Sequence, residues 1–186
     1  MSDVKKIMEM IKEHDITYVD LRFTDIAGKM QHVTQHIDTI DEDALTEGFM
    51  FDGSSIAGWK AINESDMTLM PDLYRAYIDP FFAQPTLALF CDVLEPSTGE
   101  AYDRDPRGTA KAAIAHIETL GIADTAFFGP EAEFFIFEDV KIDVSMNRGL
   151  YSVDSVEGPY NSARNYGEGN LGHRPGVKGG YFPVPP

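Results

Sequence analysis

A single cysteine, Cys91, stands among 186 residues, so no intrachain disulfide can form and packing alone must hold the fold. Cys91 lies in the apolar run "LALFCDVL" and is expected to be a buried structural thiol in a reducing compartment. Cations are scarce as well: 15 Lys and Arg face 31 Asp and Glu, for a net charge of −16. The imbalance is sharper in residues 1–97 (7 against 18) than in 98–186 (8 against 13). Such a surface repels phosphate backbones and anionic lipid, which makes nucleic acid and membranes unexpected partners. An anionic substrate would need a metal ion or locally placed Arg and Lys. Long apolar runs are missing too. None approaches bilayer length, and the start "MSDVKKIMEM" has charges where a signal peptide needs an apolar core, so a cytoplasmic location is expected. Internal repeats and low-complexity tracts are absent.

What is present suffices for a packed core, since 43% of the residues are hydrophobic. Val4, Ile7, Met8 and Ile11 recur at helical spacing over residues 3–14, with Ser2 as a candidate N-cap. "TYVDLRFTD" alternates Val19, Leu21 and Phe23 with Tyr18, Asp20 and Arg22, the pattern of a half-buried strand. Gly28 then turns the chain into "MQHVTQHI", which completes a hairpin. On a strand, His32 and His36 would sit roughly 13 Å apart, too far to share one metal ion. "DEDALTEG" predicts a short acidic helix closed by Gly48, and residues 49–59 read as a structured loop. "QPTLALFCDVLEP" is a central-type strand ended by Pro96. A domain boundary is expected around 97–105. A helix follows with Asp105 as N-cap, Pro106 in its first turn, Ile114, Ile117 and Leu120 on one face, and Gly121 as its stop.

The stretch "GPEAEFFIF", residues 129–137, predicts a strand. Its two-residue period would put Glu131, Glu133, Phe135 and Phe137 on one face, with the carboxylates roughly 7 Å apart. Two anions beside buried Phe are costly unless a cation or a ring of donors meets them; otherwise this is an exposed strand end whose Glu side chains reach water. After residue 140 the pattern thins, with 8 Gly and 5 Pro in residues 141–186. The apolar finish "YFPVPP" has nothing downstream to pack against, and the chain is expected to be truncated.

Four stretches, "MFDGSSIAGWKAINESDMTLMPD" (50–72), "YDRDPR" (102–107), "FGPEAEFFIF" (128–137) and "NLGHRPGVKGGYFPVPP" (170–186), closely resemble bacterial type I glutamine synthetase. The resemblance runs the length of the chain, in family order, and breaks off where the family's chain continues. It implies an α+β fold: an N-terminal helix (1–14), a β-grasp domain (15–97) and the incomplete start of the α/β catalytic domain (98–186). It also implies ATP-dependent joining of glutamate and ammonia through γ-glutamyl phosphate, in a homo-oligomer expected to be a dodecamer. Glu133 then matches the ligand of the metal on the glutamate side, and Glu131 a ligand of the metal bridging the ATP phosphates. Carboxylate oxygens suit hard Mg²⁺ or Mn²⁺.

The resemblance assigns Asp52 to binding ammonium and removing its proton, in the active site of a neighbouring subunit. By itself, an Asp beside Gly53 and two Ser is a common turn-former. Asp66 is expected to shape the ammonium pocket or an interface, and Trp59 to lie on the same loop. "HRPGVKGGY" lacks the Gly-Lys-Ser/Thr element of a nucleotide-binding loop, so Arg174 and Lys178 are taken as loop residues lining the active-site side. His116 and His173 are expected to serve structure or surface. Three alternatives stand beside this reading: a related γ-glutamyl–amine ligase, a non-catalytic fragment that binds full-length subunits, and a bare metal-binding module. The chain by itself is expected to make no glutamine.

Overall fold

The computed structural model describes residues 3–167 and residue 179. Two compact units divide the chain, Met1–Phe127 and Phe128–Pro186.

In the first unit, α1 (Asp3–Glu13) turns Ile7 and Ile11 into the core, as its apolar spacing requires. β1 (Tyr18–Thr24) and β2 (Met30–His36) form the expected antiparallel hairpin, with Tyr18 opposite His36 and Thr24 opposite Met30. α2 (Glu42–Glu47) is capped by Asp41, whose carboxylate accepts the Ala44 amide at 2.7 Å, and ends at Gly48 with φ +86°. β3 (Phe49–Asp52), β4 (Asp66–Pro71), β5 (Tyr77–Ile78) and β6 (Thr86–Leu94) complete a sheet ordered β2-β1-β6-β4-β3, with β5 also paired to β6. The β1–β6 pairing is parallel, Tyr18 beside Thr86, whereas β4 and β5 run antiparallel to β6. Val19, Leu21 and Phe23 from β1, Leu87, Leu89, Cys91 and Val93 from β6, and Met67 and Leu69 from β4 pack in one core with Ile7, Ile11 and Leu45 of the helices. Burial pushes the Cys91 thiol up to about 12, consistent with an inert core cysteine.

The other face of β1 is not simply wet. Asp20 is fully buried, and its carboxylate accepts from Arg22 Nε (2.7 Å) and Thr34 Oγ1 (2.7 Å) and meets His32 Nδ1 (2.6 Å). Burial alone would raise its pKa; the bonds from His32, Arg22 and Thr34 outweigh it and hold the carboxyl below its usual range. Arg22 reaches on to Asp79 and Tyr77. His32 is thus tied into a charge network and stands well apart from His36.

α3 (Pro106–Thr119) begins as expected. Asp105 is fully buried and accepts the Arg107 amide at 3.0 Å and the Val93 amide of β6 at 3.1 Å. Arg107 pairs with Asp92 (3.0 Å) and Asp72 (2.7 Å), and Lys111 with Asp92, so the first turns of α3 are stitched to the sheet. Further along, Ile114 and Ile117 are only half-buried and Leu120 is exposed.

Three expectations change. Residues 49–59 are not all loop, because Phe49–Asp52 alternates half-buried and exposed positions and pairs with β4 as an edge strand. Residues 125–137 form no strand. A strand needs a neighbour for its backbone groups, and no described strand lies alongside this segment; Phe134 and Phe135 are left about four-fifths exposed (79% and 82%). Conversely, the thin pattern past 140 hides a regular hairpin in the second unit, β7 (Asp139–Ser145) and β8 (Arg148–Asp154), joined by Met146 and Asn147. Val140, Ile142 and Val144 share one face with their partners Val153, Tyr151 and Gly149. Asp154 closes the following loop by accepting from Asn161 Nδ2 (3.0 Å), the Ser162 amide (3.0 Å), the Ser162 hydroxyl and Tyr166 (2.7 Å). Among the described residues no helix is long and apolar enough to cross a membrane.

Candidate functional site

Asp52 is the last residue of β3 and caps the 3₁₀ turn Gly53–Ser55. Its carboxylate accepts the Ser54 amide at 2.8 Å and the Ser54 hydroxyl at 2.6 Å. The Ser54 hydroxyl and amide hold the carboxyl below its ordinary pKa, so Asp52 presents an ionised, oriented group on the exposed face of the sheet edge. Gly53 is required by contact: a Cβ there would lie 2.3 Å from Met67 Sδ. Its amide donates to the Ser65 carbonyl at 2.7 Å, closing the base of the loop 53–65. Asp66, the first residue of β4, sits opposite Asp52. It also lines a polar hollow of about 360 Å³ together with Lys60, Asn63, Glu64, Ser65 and Glu95. Lys60 is committed to Glu95 within that hollow, leaving Glu64 and Asp66 to give it a negative lining.

Trp59 is buried within the same loop, its ring 5.5 Å from Phe23, 6.2 Å from Phe51 and 5.3 Å from Tyr102. Arg104 donates to the carbonyls of Gly58 and Trp59 from outside the loop. Asp52, Asp66 and Trp59 are therefore gathered by one loop and its two strands.

Glu131 and Glu133 lie in the second unit, exposed and in irregular chain. Neither has a hydrogen-bond or ion-pair partner among the described residues, and no group of three or more His, Cys, Asp or Glu there could hold a metal ion. Their oxygen donors suit a hard divalent cation, but two carboxylates are an incomplete set. Arg174, Lys178 and His173 lie outside the described residues. His116 is exposed on α3. Sequence reasoning passed over Ser54, Ser65 and Arg104. The Asp-Gly-Ser order of 52–54 was the available signal for Ser54, since Asp and Ser satisfy turn amides; nothing local marks Arg104, whose contacts are 45 and 46 positions away.

The family profile described as glutamine synthetase, β-grasp domain, matches residues 15–96, and that of the glutamine synthetase catalytic domain matches residues 103–186. The chain belongs to the glutamine synthetase family. Glutamine synthetase of Azospirillum brasilense is 65% identical over 186 residues, covering 100% of this chain and 40% of the relative. That of Rhizobium meliloti (strain 1021) is 59% identical over the same 186 residues, again 40% of its length. The chain thus spans about 40% of the length of the curated relatives it matches. A Plasmodium falciparum glutamine synthetase solved by cryo-electron microscopy superposes with a TM-score of 0.71 at 23% identity, covering 100% of this chain and 37% of that one. The latter likeness is one of fold. The expected architecture, a β-grasp domain followed by the start of the glutamine synthetase catalytic domain, is the one present.

Proposed function

We propose that this chain forms the N-terminal part of an ATP-dependent glutamate–ammonia ligase, which makes glutamine by way of γ-glutamyl phosphate. The observation that carries this reading is the Asp52 carboxylate: ionised, oriented by Ser54 and paired across the strands with Asp66 on an exposed edge. That anionic edge suits capture of ammonium and removal of its proton. Asp52 is assigned that step, Asp66 the shaping of the pocket, and Trp59 the packing of the loop. Glu131 and Glu133 would hold Mg²⁺ or Mn²⁺ with further ligands, and the ions would neutralise and orient the phosphates of ATP. Arg174 and Lys178 are assigned to the active-site side. The domain limits of this reading are 15–97 for the β-grasp and 98–186 for the start of the catalytic domain. The assembled enzyme is proposed to be a cytoplasmic homo-oligomer, a dodecamer, in which Asp52 serves a neighbouring subunit. Alone, the 186-residue chain is proposed to be inactive, because two carboxylates do not complete a metal site.

The test joins residues 1–186 to the remaining sequence of the Azospirillum brasilense relative, in a host without its own glutamine synthetase. The joined protein should form glutamine from ATP, ammonia and glutamate, and Asp52→Ala should lower turnover while leaving ATP affinity unchanged. A matched loss of ATP affinity would reduce Asp52 to a folding role. Glutamine formation by the 186-residue chain, above a Glu131→Ala/Glu133→Ala control, would overturn its proposed inactivity.

A further inference from the structure

The loop 53–65 that follows Asp52 is closed at its base by its own residues, through the Ser54 and Gly53 bonds. Its middle is held from outside. Gly58 takes φ +81°, a left-handed turn that L side chains resist. The Gly58 and Trp59 carbonyls then both meet one nitrogen, Nη1 of Arg104, the Trp59 bond measuring 3.3 Å. The neighbouring fastenings converge on the same short segment. Lys60 pairs with Glu95, its ammonium lies 5.2 Å from the centre of the Tyr102 ring, and Tyr102 stands edge-on to Trp59. Arg104 and Tyr102 come from the stretch between β6 and α3; Arg104 falls at the front of the catalytic-domain match and Tyr102 just before it, whereas the loop belongs to the β-grasp match.

The indole of Trp59 needs such help. Its Nε1 is buried with no hydrogen-bond partner among the described residues, so no polar contact of its own orients the ring. The ring is held by packing, and the backbone beneath it by Arg104. Trp59 in turn packs on Phe51, the residue before Asp52, and both pack on Phe23 of β1. A continuous path therefore runs from Arg104 through the Trp59 backbone and indole to Phe51 and the Asp52 carboxylate.

We propose that Arg104 is a positioning residue for the Asp52 loop: by bridging the Gly58 and Trp59 carbonyls it fixes Trp59 against Phe51, and so sets where the Asp52 carboxylate stands. The catalytic consequence rests on the function proposed above; the positioning itself does not. A guanidinium suits the task because it stays charged at every physiological pH and offers several donors on a rigid plane. Methionine at 104 would keep the packing volume and lose every donor.

Trp59 is the single tryptophan of the chain, so its emission reads this loop alone. In the 186-residue chain, Arg104→Met should shift Trp59 emission to the red and raise its quenching by acrylamide at least about twofold. It should also speed amide exchange at Gly53, Ile56 and Trp59, whose N–H groups bond within the loop, by about tenfold or more, while the Leu21 and Leu89 amides of the sheet stay unchanged. Arg104→Lys, which keeps the charge on a flexible ammonium without the planar guanidinium, should fall between wild type and Arg104→Met. Unchanged emission and exchange in Arg104→Met would overturn the proposal. So would equal acceleration of loop and sheet amides in both variants, which would make Arg104 a residue of the global fold. In the chain joined to the Azospirillum remainder, Arg104→Met should raise the KM for ammonium about fivefold or more with the KM for ATP unmoved. If the joined wild type makes no glutamine, the proposed function fails there while the fluorescence and exchange results still decide the role of Arg104.

Discussion

Asp52 and Asp66 stand directly opposite each other across β3 and β4, and the next rung, the Gly53 amide to the Ser65 carbonyl, is hydrogen-bonded. They are therefore a non-hydrogen-bonded pair, the arrangement that brings cross-strand side chains closest. Like charges in that position repel, and the structure compensates on one side only, through the Ser54 donors to Asp52.

Removing the hydroxyl donor should be visible in the titration of Asp52, because of the two Ser54 donors only the amide then remains. Ser54→Ala is expected to raise its midpoint toward the ordinary carboxylate range, followed by carbon NMR of the side chain. The wild-type midpoint is depressed, so the turn contact is complete above the ordinary carboxylate pKa and is lost as pH falls through the Asp52 midpoint. An unmoved midpoint in Ser54→Ala would mean that the Ser54 hydroxyl does not hold the carboxylate.

Arg107 carries the charge balance where α3 meets the sheet. For Asp92, burial acts to raise the pKa, and the bonds from Lys111 and Arg107 overcome it. Arg107→Met leaves Asp72 without its cation and Asp92 with only Lys111. A loss of about 2 kcal/mol in urea denaturation is expected, given what hydrogen bonds to charged groups contribute. Trp59 fluorescence supplies the signal, and Lys111→Met, at a more exposed position, should cost less.

Cys91 should be chemically silent. With the thiol raised to about 12 by burial, almost no thiolate forms at pH 8. A thiol reagent should leave the folded chain unlabelled and modify it stoichiometrically in concentrated urea. Rapid labelling of the folded chain would contradict the packing of β6.

Asp154 supplies an acid-sensitive tether. The bonds from the Ser162 hydroxyl and Tyr166 lead in lowering its pKa from 3.8 to about 2. Because the folded value is the lower one, the tether is complete above about pH 4 and is lost as pH falls toward about 2. Amide exchange at Ser162, corrected for intrinsic rates, should accelerate through that window. Asp154→Asn should show the accelerated rate already at neutral pH.

Periodic segments were legible in the sequence: Ile7 and Ile11 of α1, the alternation of β1 and β2, the run of β6, and the Asp105-Pro106 start of α3. β3 and β4 were harder, because Asp52 and Asp66 sit at their joined ends and the Gly-Ser composition around them reads as loop. The β7–β8 hairpin was missed among the glycines that follow it. The Glu131–Phe137 alternation was real but found no neighbouring strand to pair with. Within the candidate site, Asp52, Asp66 and Trp59 could be picked out by motif. Ser54 carried a local signal, but the groups that fasten the rest of the loop could not be read, because the Arg104–Trp59 and Lys60–Glu95 contacts join positions 35 to 46 apart.

The parallel pairing of β1 with β6 also sets an order of events during synthesis. β1 ends at Thr24 and its central neighbour begins only at Thr86. A ribosome adding roughly 5–20 residues per second needs on the order of 3–12 s to make the intervening chain. During that interval Val19, Leu21 and Phe23 have the β2 hairpin and α1 for company but not the strand that seals them. The apolar face of the nascent hairpin therefore stays uncovered until "TLALFCDVL" has been made and can pair beside it.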